Sequence, residues 1–108
     1  MKNVIDPDET QPVTVEGIIQ VVAEHFGITP ADLRSQKRSR EVAYPRQICM
    51  YLCRKMTDTS LQAIGKSLGK KDHSTVLHGI EKIEKDIITD ENLKNVTDVL
   101  KKKISPSK

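Results

Sequence analysis

Asp72, His73, Ser74, Thr75 and His78 crowd five hydrogen-bonding side chains into one short stretch. The apolar residues that follow, Val76, Ile80, Ile83 and Ile87, recur at the i, i+4, i+7, i+11 spacing of one helix face. With that stripe turned to a core, Ser74, Thr75 and His78 point away from it and His73 lies at the exposed N-terminal end. Hydroxyl and imidazole groups donate and accept, and the Thr75 methyl is apolar. On the first turns of a helix this is equipment for base edges and thymine methyls in a major groove. Lys70 and Lys71 stand just before, where backbone phosphates would lie, and the free amides of the helix start favour an anion.

Other chemistries fit less well. His73 and His78 are five apart, face differently and have no second ligand pair beside them, so no metal site is expected. Glu81, Glu84 and Asp86 alternate with Lys82 and Lys85, the pattern of a solvated, salt-bridged helix face. Gly65-Lys66-Ser67-Leu68-Gly69-Lys70-Lys71 has one residue too few between its glycines for a phosphate-binding loop, and no Ser or Thr follows the lysine to hold magnesium. Cys49 and Cys53 share a helix face with Ile48, Leu52 and Met56 and read as reduced, buried thiols. No catalytic constellation emerges, and the chain is not expected to be an enzyme.

The elements that must position these residues are all helical. Thr14 can cap a helix through Ile18, Val22 and Phe26 that Gly27 stops. Thr29-Pro30, with Asp32 three residues after the cap, starts a short helix over residues 31–35. Gln36 to Glu41 has no apolar face and reads as an exposed basic loop. A helix over about Val42 to Met56 puts Ile48, Leu52 and Met56 inside, leaves Arg46, Arg54 and Lys55 in solvent, and tolerates Pro45 in its first turn. Ser60 caps a short helix with Leu61, Ile64 and Leu68 inward, a tight turn at Gly69-Lys70-Lys71 follows, and Asp72 caps the longer helix. That is the grammar of a helix-turn-helix. Thr89 and Asp90 open a last amphipathic helix with Leu93, Val96, Leu100 and Ile104. No stretch alternates with period two. The expected fold is an all-α small helical domain, a helix-turn-helix followed by a C-terminal amphipathic helix.

Composition sets the bounds. The 108 residues fit one domain: 1–12 a linker or disordered tail, 13–104 the helix-turn-helix DNA-binding domain, and 105–108 a frayed tail. Aromatics are 3% of the chain, which denies it a stacking platform for single-stranded bases. The longest apolar run, Ile48 to Cys53, is far too short for a transmembrane segment, and the N-terminus lacks the apolar core of a signal peptide, so a cytoplasmic location is expected. The net charge of +3 is an average over unlike segments. Residues 13–33 hold three acids and no Lys or Arg, whereas residues 34–46 set five cations against Glu41 and residues 54–71 set five against Asp58. A field this concentrated suits a polyanion.

Gly69, Lys71 and Asp72-His73-Ser74-Thr75-Val76-Leu77-His78 closely resemble the signature of the C-terminal DNA-binding domains of bacterial DnaA-type replication initiators. Lys37-Arg38-Ser39-Arg40 with Val42-Ala43-Tyr44-Pro45-Arg46-Gln47 resembles the basic loop and following helix of that family, and Ser60 to Gly65 its first helix-turn-helix element. The resemblance runs continuously over about residues 13 to 104. It implies double-stranded DNA as partner, at nine-base-pair replication-origin boxes, bound by a monomer. In the family the arginine matching Arg38 enters the minor groove, and the residues matching Asp72, His73, Ser74 and Thr75 meet bases in the major groove. Those matching Lys37, Arg40, Arg46, Gln47, Arg54 and Lys71 contact phosphates or support the loop, and Lys70 joins that set here by its position just before the helix. No metal or cofactor is implied for this chain: ATP, and assembly through it, would belong to an upstream ATPase domain of a full-length initiator. Lys70 and Lys71 replace the family's common Gly-Arg, Ser74 its frequent threonine, and Gln62 a proline of some members. The alternative is a stand-alone DNA-binding regulator that uses the same module to compete for or mark such sites. A third class is a protein-interaction module docking through residues 73–85.

Overall fold

The computed structural model describes residues 13–105, so the expected tail at 1–12 and all but Ser105 of the expected tail at 105–108 lie outside the described residues. Six helices follow one another: α1 (Val15–Phe26), α2 (Pro30–Arg34), α3 (Arg40–Met56), α4 (Leu61–Ser67), α5 (His73–Thr89) and α6 (Glu91–Ile104). No strand occurs among the described residues, and the fold is all-α.

Local signals set most of the boundaries. The Thr14 hydroxyl accepts from the Gly17 amide at 3.0 Å to open α1, and Gly27 closes it in the left-handed region. Thr29 and Asp32 form a reciprocal capping box on α2, each side chain accepting from the other's backbone amide. Ser60 caps α4 through the Ala63 amide, and Asp90 caps α6 through the Leu93 amide, both at 3.1 Å. The start of α3 differs from the expected one: Arg40 and Glu41 are its first turn rather than loop, because the Ser39 carbonyl already accepts from the Val42 and Ala43 amides. Pro45 consequently sits in the second turn, where its missing N–H leaves the Glu41 carbonyl without its helical partner.

α3 is the axis of the domain and packs against each of the other helices. Its Ile48, Cys49, Leu52 and Cys53 are sealed in a core with Ile18, Ile19 and Val22 of α1, Leu33, Ile64, Leu68, Val76 and Ile83. Both thiols are free and buried. α6 lays Leu93 and Leu100 into this core together with Thr97, whose hydroxyl donates to the Lys94 carbonyl, while Val96 and Ile104 are only partly buried. α4 and α5 pack against one another at an edge of the domain, so the N-terminus of α5 faces outward beside the residue 35–39 loop.

Candidate nucleic-acid interface

The turn between α4 and α5 requires its glycines. Gly69 has φ +86°, Lys70 follows at +63°, and the Lys71 amide returns to the Gly65 carbonyl at 2.8 Å. A Cβ at Gly65 would overlap the Lys71 carbonyl, and one at Gly69 the Arg34 carbonyl. The turn is thus pressed against the end of α2, and the loop that follows α2 is brought to the start of α5.

Between these two elements lies a cleft of about 450 Å³. Arg38 of the loop, Gln47 of α3, Lys70 and Lys71 of the turn, and Asp72 and Thr75 of α5 line it together. Asp72 and Thr75 are exposed, and so is Arg38. Asp72 occupies the N-cap position of α5, yet its carboxylate makes no capping hydrogen bond, which corrects its expected role as a cap. The group is left available for an outside donor. His73 lies in an adjoining cleft of about 310 Å³ with Arg54, Ser60 and Gln62, and Ser74 is exposed on the first turn but lines neither cleft. Arg54 also donates to the Thr59 carbonyl at 2.9 Å, tying the approach to α4.

The cations divide by environment. Arg46, expected in solvent, is only 7% exposed. Its guanidinium donates to the carbonyls of Leu33 (2.8 Å), Lys37 (2.8 Å), Ser35 (2.9 Å) and Asp32 (3.2 Å). A planar fork of five donors suits such a ring of acceptors and lets the charge be buried, although desolvation lowers its pKa. Lys71 is half-buried and its ammonium donates to the Ser35 and Leu68 carbonyls; burial, then the nearby Arg46 charge, lower its pKa. Lys37 is exposed and pairs with Asp32 at 3.3 Å. Lys70 is exposed at the cleft. Arg40 points elsewhere: its guanidinium stacks 4.8 Å over the Tyr44 ring and lines a separate groove with Phe26 and Pro45.

Gln36 carries no charge and escaped the motif reading, but its side-chain amide reaches the Gly69 carbonyl at 3.5 Å and it lines the main cleft. Only its position beside the basic run hinted at this. Among the described residues no cluster of His, Cys, Asp and Glu could hold a metal ion, and no helix is long and apolar enough to cross a membrane.

Residues 15–83 match the family described as bacterial dnaA protein helix-turn-helix. The chain is 54% identical over 107 residues to the chromosomal replication initiator protein DnaA of Lachnoclostridium phytofermentans, covering 99% of this chain and 24% of that protein. It therefore spans about a quarter of that relative's length. A solved structure described as a DNA replication initiation factor superposes with a TM-score of 0.77 at 32% identity, over 85% of this chain and 28% of that one.

Proposed function

The chain belongs to the bacterial DnaA helix-turn-helix family, and from that premise we propose that it binds double-stranded DNA at nine-base-pair origin boxes, reading both grooves at once. The observation that carries this reading is the shared cleft, in which Arg38 on one element meets Asp72 and Thr75 on another. Arg38 is the minor-groove residue, where a narrow groove concentrates negative potential. Asp72, His73, Ser74 and Thr75 face base edges: a carboxylate accepts from a cytosine amine, and hydroxyls and imidazole do either. Lys70 and exposed Arg54 hold phosphates and fix orientation. The role is binding without catalysis and needs no cofactor. ATP-dependent assembly belongs to the part of a full-length initiator that this chain does not span, and one chain occupies one non-palindromic site in the cytoplasm.

The test is a binding titration against a duplex carrying an origin-type box and a scrambled duplex of equal composition. The box is expected to bind more tightly, with a slope near −5 in log K against log salt if about six phosphates are neutralised. Equal affinity for the two duplexes would overturn the reading.

A further inference from the structure

The seam between the basic loop and the helix-turn-helix is tied more heavily than a simple contact requires. Arg34 Nε donates to the Ser67 carbonyl at 3.2 Å, the Gln36 amide reaches the Gly69 carbonyl, and the Lys71 ammonium crosses in the other direction to the Ser35 carbonyl at 2.8 Å. Lys71 also holds the Leu68 carbonyl at 2.9 Å, so one side chain grips both sides. The Ser35 carbonyl accepts from Arg46 as well, at 2.9 Å. With two cations on it, both of its lone pairs are used.

We propose that Lys71 is a positioning residue that fixes the spacing between Arg38 and the N-terminus of α5, and that its ammonium makes no phosphate contact. The proposal rests on the reading that the chain binds duplex DNA. Moving Lys71 onto a phosphate would strip the half-buried Leu68 to Ser35 seam of two charge-assisted hydrogen bonds, whereas Lys70, next to it and exposed, is free to take that contact. A side chain in the minor groove and a helix in the major groove read one duplex in register only while their separation is fixed. Lys71 therefore acts on specificity through Arg38, which lies on the loop it braces.

The experiment compares wild type, Lys70→Met and Lys71→Met on the box duplex, on boxes altered at the minor-groove end or the major-groove end, and across a salt series. Lys70→Met is expected to reduce the magnitude of the salt slope by about 0.9. Lys71→Met is expected to keep the wild-type slope, weaken the box by about tenfold and flatten discrimination at the minor-groove end. In an Arg38→Ala background its effect on that discrimination should vanish. A slope reduced by about 0.9 in Lys71→Met overturns the proposal, as does an equal loss on every duplex. Far-UV circular dichroism checks folding. If Lys71→Met does not fold, Lys71→Gln, which keeps two N–H donors and drops the charge, carries the same slope criterion. A wild-type chain that ignores the box would instead sink the underlying reading.

Discussion

The guanidinium of buried Arg46 donates to the carbonyl of Lys37 at 2.8 Å, so the residue next to Arg38 is held by a charge from inside the domain. The loop keeps its shape because four backbone carbonyls that water would otherwise solvate converge on one planar group. Arg46→Ala leaves those carbonyls unpaired and is expected to cost about 2 to 3 kcal/mol in chemical denaturation. Arg46→Lys should recover little, since a point charge cannot satisfy a fork of acceptors. Full rescue by lysine would show that charge alone, not geometry, holds the loop.

How much of this could be read from the chain depends on the range of each interaction. Thr14, the Thr29 and Asp32 pair, Ser60 and Asp90 reach amides three residues away, so their helix starts are legible in local sequence. The glycine turn is local too, since the Lys71 amide returns to the Gly65 carbonyl, and α5 is legible from its apolar stripe although Asp72 does not cap it. Arg46 and Lys71 find acceptors across the chain, Lys71 some 36 residues from Ser35, and nothing local separates a braced cation from a solvated one. Arg40 belongs to the same basic run as Arg38 but lies over Tyr44, because α3 begins two residues earlier than expected and turns it to another face. Charge counting marks the region, and packing assigns each cation its task.

Among the described residues the Arg38 side chain makes no hydrogen bond, and it is exposed at the cleft. Arg38→Ala should therefore leave the melting temperature unchanged while costing about 1 to 3 kcal/mol on the box, concentrated at base pairs of the minor-groove end. A competition assay over single-base-pair variants reads this out. A loss of equal size on scrambled duplex would assign Arg38 to phosphate instead.

Asp72 and Ser60 both stand at N-cap positions, but only Ser60 caps. Ser60→Ala is expected to cost about 1 kcal/mol of stability. Asp72→Ala loses only a helix-dipole contribution of a few tenths of a kcal/mol, so its effect should appear in base preference rather than in melting. Asp72→Ala destabilising the fold as much as Ser60→Ala would show that its carboxylate caps α5 in solution.

Gly27 and Gly69 both adopt positive φ, +69° and +86°, but in different surroundings. A Cβ at Gly27 would meet nothing within 4 Å, whereas one at Gly69 would run into the Arg34 carbonyl. Gly27→Ala should cost about 1 kcal/mol, the conformational penalty alone. Gly69→Ala should cost about 1 to 3 kcal/mol more and weaken DNA binding, because relief requires the turn to lift off the loop. Similar melting temperatures for the two variants would mean that the seam is looser than its contacts imply.

His25 closes α1 against the far end of α6, with its Nδ1 3.1 Å from the Lys103 ammonium and its ring edge-on to Phe26 at 5.0 Å. Burial, and secondarily the Lys103 charge, lower its pKa below the ordinary histidine value. The unfolded chain then binds more protons than the folded one between the lowered and the ordinary values, so stability rises with pH through that window. The contribution is complete above the ordinary histidine range and is lost as pH falls through the lowered value, where a protonated imidazole would face Lys103 without a hydrogen bond to accept. Melting followed from about pH 7.5 to about pH 5 should fall more steeply for wild type than for His25→Gln, which cannot titrate. Lys103→Met should reduce the steepness only in part, since burial is the larger cause. A wild-type profile parallel to that of His25→Gln would remove His25 as the source of acid sensitivity.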